Sequence, residues 1–335
     1  MDGVDYTRLR LALWEEPGAR SELSAWIEGR LAERGIEPLP APPRVRIRPW
    51  STTARFDTSH GPVWFKADAP DSAFEAALLG ALHAWVPGRV PAPIAVDAKR
   101  GWSLLPDGGT PMVAQMRSLR DFAVWESVLR GYAELQRGLT GRVRDMLVLG
   151  VPDLRPPALG RRLDGLLADP GVAAELGGGL PAVAAFRADL DRIADALADS
   201  GVPASVDHSD LSMGNVFRSA GGYRFIDWGD ASVAHPFTSL LIPFDFIATE
   251  LSPGVRVLRR LRDAYLEPWS GTAPPSDLRA AVRRALRLGA ISRALAWTRV
   301  FPELRDEVRE AHLRQTAAWL RRLTGHTLPP APGGA

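Results

Sequence analysis

Cysteine is absent from this chain of 335 residues, and lysine nearly so: of 41 basic residues only Lys66 and Lys99 are lysine. Without cysteine there are no disulfides and no thiolate metal sites, which is compatible with a reducing cytoplasm. No apolar run approaches the roughly 18 residues of a membrane span. The acidic start Met1-Asp2-Gly3-Val4-Asp5 lacks the basic-then-apolar layout of a signal peptide. A cytoplasmic protein with no membrane partner is therefore expected. No basic run is interleaved with aromatics, and the net charge of +2 is small, so nucleic acid is not an expected partner. There is no repeat of solenoid period. What is present is 46% hydrophobic content over a length that suggests two domains or lobes.

The most informative segment reads His208-Ser209-Asp210-Leu211-Ser212-Met213-Gly214-Asn215, followed by Phe225-Ile226-Asp227-Trp228-Gly229-Asp230. H-x-D-L-x-x-x-N and then D-W-G is the spacing of a kinase catalytic loop followed by its metal-binding aspartate. Phosphoryl transfer needs a carboxylate to orient a hydroxyl and accept its proton, which suits Asp210. It also needs hard oxygen ligands for Mg²⁺, which suits Asn215 and Asp227. Ser219-Ala220-Gly221-Gly222 is a turn signal between two short strands. A hairpin centred on Gly221 would set Asn215 opposite Asp227, about 4.5–5.5 Å apart at Cα. The plainer alternative is a surface hairpin whose Asn and Asp only flank a turn, which leaves His208 and Asp210 at their offsets unexplained.

The scarcity of lysine gives Lys66 weight. Where arginine supplies nearly every generic positive charge, a retained lysine at the end of Pro62-Val63-Trp64-Phe65-Lys66 suggests a need for a compact ammonium against phosphates. Lys99, in a polar turn, reads as solvated. Glu75, near the start of a helix expected over Ser72–Trp85, is a candidate partner for Lys66. Ser72-Ala73-Phe74-Glu75 also fits a capping box. Strands are expected over Val45–Trp50, Ala54–Asp57 and Val63–Ala67. Ser51-Thr52-Thr53 between the first two either offers hydroxyls and backbone N–H groups to phosphates or is an ordinary turn. It has no G-x-G-x-x-G. The strand Gly101-Trp102-Ser103-Leu104-Leu105 lies where a kinase-like chain crosses between lobes, so Leu104 and Leu105 are candidates for backbone bonds to adenine. Helices are expected over Tyr6–Trp14 and Ser21–Arg34, and helix dominates after about Arg117. Pro329–Ala335 reads as a disordered tail.

These segments, with Trp64-Phe65-Lys66 and Phe74-Glu75, resemble the aminoglycoside phosphotransferase and choline kinase-like superfamily over roughly residues 44–325. The resemblance implies an α+β, two-lobed protein-kinase-like fold with a small antiparallel-sheet N-lobe and a mainly helical C-lobe. It implies ATP or GTP as donor, Mg²⁺, and a small-molecule hydroxyl as acceptor. Asp210 would be the base, Asn215 and Asp227 the metal ligands, and Lys66 the phosphate contact, with His208 and Asp230 in support. The matching domain plan is a helical extension (1–43), a nucleotide-binding lobe (44–109), a catalytic and acceptor-binding lobe (110–325) and a flexible tail (326–335), acting as monomer or homodimer.

The chain departs from the superfamily's pattern in two segments. Ser209 stands where Gly is usual, and Ala234-His235-Pro236-Phe237-Thr238-Ser239-Leu240 carries His, Thr and Ser where acids are commoner. Ser209 also removes the arginine that a protein kinase has at this point, and no A-P-E follows, so a small-molecule acceptor is expected. A silent member of the fold would not need to keep Lys66, Asp210, Asn215 and Asp227 together. A metal hydrolase built on Asp207, His208, Asp210 and His235 would lack any His pair at i, i+4. From Pro236 onward fifteen arginines face nine acids, which weighs against a strongly cationic acceptor and leaves antibiotics and metabolites open. Trp269, Trp297 and Trp319 suit either stacking or core.

Overall fold

The computed structural model describes residues 15–302, 304 and 306–325. The helix expected over Tyr6–Trp14 and the tail beyond residue 325 lie outside the described residues. The chain forms two compact units, one running through Gly109 and including Arg299–Ala311, the other comprising Thr110–Thr298 and the chain from His312 on.

In the first unit, Pro17–Ala32 forms helix α1, whose Leu23, Ile27 and Leu31 repeat at four-residue spacing and are all buried. They pack on an antiparallel five-stranded sheet of order β1-β2-β3-β5-β4, built from Arg44–Ile47, Ser51–Phe56, Val63–Asp68, Ala95–Asp97 and Trp102–Pro106 as β1 to β5. Along β3, Val63, Phe65 and Ala67 are buried in this core. The rings of Trp26, Phe65 and Trp102 meet edge-on at centroid distances of 5.6–6.1 Å. Strand periodicity then sends Lys66 and Asp68 to the opposite face. Part of the segment read as a separate extension thus shares the core of the sheet.

The first turn of the sheet falls earlier than expected. Arg48 N–H donates to the Ser51 carbonyl at 2.8 Å around Pro49-Trp50, so Ser51 and Thr52 begin β2, where both are buried. The loop reading of Ser51-Thr52-Thr53 is corrected accordingly: proline at the first corner fixes the turn at Pro49-Trp50. Helix α2, Phe74–Trp85, has Ala73 as its N-cap, so Ser72 does not hold the capping position. Gly101, at φ +66°, precedes β5 and lies against Ala73. A Cβ there would come within 2.8 Å of the Ala73 Cβ, so glycine allows α2 to approach the sheet.

In the second unit, α3 (Phe122–Leu139) buries Trp125, Val128, Leu129, Tyr132, Leu135, Gln136 and Leu139, a stripe at helical spacing. Asp153–Leu154, Ser205–Asp207 and Ser232–Ala234 (β6, β7 and β10) form a sheet of order β6-β10-β7, and Val216–Ser219 with Gly222–Phe225 (β8 and β9) form a hairpin. Leu180–Ala185 (α4) and Arg187–Ala198 (α5) follow one another, meeting at Phe186. Further helices are α6 (Leu241–Phe246), α7 (Val255–Leu266) and α8 (Pro275–Ala296), with α9 (Asp306–Arg321) belonging to the first unit through Ala311 and to the second from His312. Among the described residues no helix is long and apolar enough to cross a membrane.

Candidate functional site

In the first unit, strand β3 and the first turn of α2 bring Lys66 to Glu75. The Lys66 ammonium donates to Glu75 Oε2 and lies 3.1 Å from Asp68 Oδ1. The three side chains are 12%, 6% and 2% exposed, so this is a buried ion cluster and not an edge charge. Asp68 went unnoticed in the sequence, although its offset of two from Lys66 on a strand puts both on one face. Leu104 and Leu105 lie in β5 between β3 and β4. The Leu104 carbonyl already accepts from Ile94 N–H at 2.8 Å, whereas the ladder to β4 ends at Leu104 and does not reach Leu105.

In the second unit, β7 ends at Asp207 and leads into the loop that carries His208, Ser209 and Asp210. Ser209 has φ +58° and Asp227 φ +65°. A left-handed backbone at a residue with a side chain costs about 1–3 kcal/mol and persists only where the surroundings enforce it. At Ser209 the enforcing group is Asp207. Its buried carboxylate accepts from Ser209 N–H at 3.0 Å, Ser209 Oγ at 2.9 Å and Ser239 Oγ at 2.6 Å. That geometry accounts for a position where glycine is usual and shows how serine is accommodated. The Gln136 amide is fastened to the Val206 and Pro236 carbonyls at 2.7 and 3.0 Å and to Ser239 Oγ at 3.2 Å. Tyr265 OH lies 2.6 Å from Gln136 Oε1. Asp207, Ser239, Gln136 and Tyr265 thus form a buried polar support beneath the loop.

His208 is fully buried, with its ring 4.7 Å from that of Trp228. Its Nε2 lies 2.9 Å from the Ile226 carbonyl. A carbonyl can only accept, so the proton is on Nε2, and the bond ties the Asp210 loop to the residue just before Asp227. Asn215 donates its amide to the Asp210 carbonyl at 3.0 Å and to Asp210 Oδ2 at 3.1 Å, so the amide oxygen is the atom it could offer to a cation.

The hairpin register differs from expectation. Val216 pairs with Phe225 and Ser219 with Gly222, and Ile226 N–H donates to the Asn215 carbonyl at 3.0 Å. Asn215 therefore faces Ile226 and not Asp227. The loop is Ala220-Gly221, centred between those residues, and Asp227 lies past the ladder, where the left-handed backbone redirects the chain.

Arg293, on α8, was not singled out from the sequence. Its Nη2 lies 3.3 Å from Asp210 Oδ1, and its Nη1 donates to Asp230 Oδ2 and to the Ser209 carbonyl at 3.2 Å. Burial pushes the Asp210 carboxyl up; Arg293 pulls it down, while Asp230 and Asp227 push it up again, to about 6. The charges of Asp230 and Asp227 act on Asp210 as repulsion, which a cation among these oxygens would relieve. The donors of Asn215 and Asp227 are hard oxygens, and the one imidazole nearby, His208, is committed to Ile226. The residues present therefore fit Mg²⁺, an ion held through one or two protein side chains together with substrate phosphates. His235 is buried, with its pKa pushed down to about 3 by burial, and its Nδ1 accepts from Phe237 N–H at 3.3 Å. Among the described residues no group of three or more His, Cys, Asp or Glu is placed to hold a metal. Trp269 is fully buried against Phe237, so it is core.

Residues 55–274 match the model of the phosphotransferase enzyme family, APH. The chain belongs to this family. It is a small-molecule phosphotransferase with a two-lobed kinase-like fold. Solved structures with the same fold include the ethanolamine kinase of Plasmodium vivax, 12% identical, which covers 94% of this chain and 90% of its own at a TM-score of 0.63. A type I macrolide 2′-phosphotransferase is 20% identical and covers 91% and 97%, with a TM-score of 0.54. An amicoumacin kinase solved with AMP-PNP, Ca²⁺ and Ami is 10% identical and covers 90% and 95%, with a TM-score of 0.52. No curated protein matches the chain.

Proposed function

We propose that the protein moves the γ-phosphoryl group of ATP or GTP, with Mg²⁺, to a hydroxyl of a neutral or weakly charged small molecule. The observation that carries this reading is the bond from Asn215 to the Asp210 carboxylate beside a left-handed Asp227, within a chain of this phosphotransferase family. Asp210 accepts the proton of the acceptor hydroxyl. The acceptor oxygen bonds to the γ-phosphorus as its bond to the bridging oxygen breaks, and ADP or GDP leaves. Asn215 and Asp227 hold the metal, which when bound neutralises phosphate charge. Lys66, aimed by Glu75, contacts the phosphates, and the backbone near Leu105 takes the adenine edge. On this reading residues 44–109 bind the nucleotide and residues 110–325 carry catalysis and the acceptor. A similarly folded amicoumacin kinase binds a nucleotide analogue and a divalent cation, which supports the cofactor assignment. ATP consumption screened against amino alcohols, macrolides, nucleoside antibiotics and aminoglycosides tests the acceptor class. Turnover with aminoglycosides alone would overturn the assignment of a weakly charged acceptor.

Lys66 is tested by a substitution that keeps its charge. Lys66→Arg replaces a compact ammonium with a planar fork and is expected to raise the KM for ATP or depress kcat, with the protein still folded. Lys66→Ala is a poorer probe, since it takes the ammonium away from two buried carboxylates, Asp68 and Glu75, and so perturbs stability as well as the site. Wild-type kinetics in Lys66→Arg would remove the residue from the site.

The pH dependence follows from Asp210. Only its ionised form accepts a proton, and its pKa is pushed up to about 6. The plot of kcat/KM against pH is expected to be flat at neutrality and to fall about tenfold per unit below about pH 6. An acid limb at the usual carboxylate range near 4 would contradict this placement.

A further inference from the structure

We propose that Arg293 is a positioning residue for phosphoryl transfer, its guanidinium joining Asp210, the Ser209 carbonyl and Asp230 into one preset unit. The inference rests on the reading of Asp210 as the base. Arg293 comes from α8, remote in sequence from both loops it touches. One nitrogen, Nη2, faces Asp210 Oδ1 at 3.3 Å. The other, Nη1, serves the Ser209 carbonyl at 3.2 Å and Asp230 Oδ2. A single planar group thus reaches both the loop ahead of the catalytic carboxylate and the segment just after Asp227.

The support behind the guanidinium is equally specific. The Arg293 side chain is only 14% exposed, and its guanidinium carbon lies 5.5 Å from the centre of the Trp297 ring. One turn earlier Gly289 faces Leu241 and Thr238. A Cβ there would meet Leu241 Cδ2 at 3.3 Å and Thr238 Cβ at 3.7 Å, so glycine lets α8 lie close to the segment that carries Ser239. Arg293 is therefore held from behind while its fork faces the two loops. Ser209 and Asp227 both adopt left-handed backbone without being glycine; Asp207 enforces it at Ser209, and Arg293 adds a tie to the Ser209 carbonyl and to Asp230, three residues past Asp227.

Lysine cannot reproduce the arrangement. Its ammonium is a point charge, whereas the fork makes three contacts in fixed directions. The consequence is kinetic: the base is aimed before substrates arrive, and a small misplacement of a reacting group costs on the order of 10²-fold. ATP binding does not depend on it.

The test compares Arg293→Ala, Arg293→Lys and Asp210→Asn with the wild type in two reactions: Mg·ATP hydrolysis with water as acceptor, and turnover with any panel alcohol that accelerates ATP consumption. Both Arg293 variants are expected to lose about 10- to 100-fold in kcat, with Mg·ATP affinity by calorimetry within about twofold of wild type. Guanidinium ion, added well below unfolding concentrations, should restore part of the kcat of Arg293→Ala and nothing in Asp210→Asn. A merely structural role would lower the melting temperature and Mg·ATP affinity together and show no rescue, which overturns the proposal. Wild-type kcat in Arg293→Ala overturns it too. If Asp210→Asn turns over normally, the base assignment fails instead, and the two failures are told apart.

Discussion

Replacing Asp210 by asparagine or alanine is expected to lower kcat by about 10²–10⁴, the range for loss of a general base, while Mg·ATP still binds. Asparagine is the sharper probe because it keeps the size of the side chain, and its one amide oxygen still accepts from either Arg293 or Asn215, which in the wild type donate to different oxygens. The expected split is therefore a large fall in kcat with little change in the KM for ATP. The carboxylate is a third exposed and lies 3.3 Å from Arg293, so the substitution does not create a deeply buried orphan. A second readout guards against misfolding: thermal melting of Asp210→Asn should stay close to that of the wild type. Near-normal turnover with an unchanged melting curve would remove Asp210 as the base.

The second large effect is expected at Asp227. Asp227→Ala should abolish the Mg²⁺-dependent part of nucleotide binding, and Asn215→Ala should weaken it. Asp227 holds a backbone conformation that alanine adopts less readily than aspartate or asparagine, so Asp227→Asn is the companion variant. It retains the backbone preference and one oxygen donor but removes the charge that attracts the cation. Calorimetry with ATP, with and without Mg²⁺, separates these outcomes. Equal Mg·ATP affinity in wild type and both Asp227 variants would refute the metal assignment.

What was legible in the sequence is what is local. His208, Asp210 and Asn215 lie within one loop, and Asp227 follows a short hairpin, so their offsets carry the geometry directly. Lys66 stood out because a chain that uses arginine almost everywhere else kept a lysine there, and Glu75 lies nine residues on, across a single strand-to-helix turn. Asp68 could have been found by the same reasoning, since strand alternation puts it beside Lys66. The hairpin register was not legible to one residue. Ser219-Ala220-Gly221-Gly222 marks a turn without saying which two residues form its loop, and a single-residue slip changes every opposed pair. Ser51 and Thr52 were misplaced for a similar reason, since Pro49 fixes the corner ahead of them.

Arg293 and the support formed by Asp207, Gln136, Ser239 and Tyr265 were not legible at all. Their partners lie far along the chain, on α3, α7 and α8, and nothing in a run of helical arginines marks the one that turns inward. The charge balance bears on the acceptor only through arginines that are not already paired at the site: Arg293, counted as a positive charge in the composition, lies against two carboxylates there.

The central claim is that a hydroxyl of a small molecule receives the phosphoryl group with Asp210 as its base. Incubating wild type and Asp210→Asn with Mg²⁺, γ-labelled ATP and the alcohol panel, and following label into product by mass spectrometry, tests it directly. The expected result is one acceptor class converted to its phosphate ester with matching release of ADP, and almost none formed by Asp210→Asn. Label passing to an alcohol equally well in both proteins, or to no alcohol in any class while Mg·ATP binds, would contradict it.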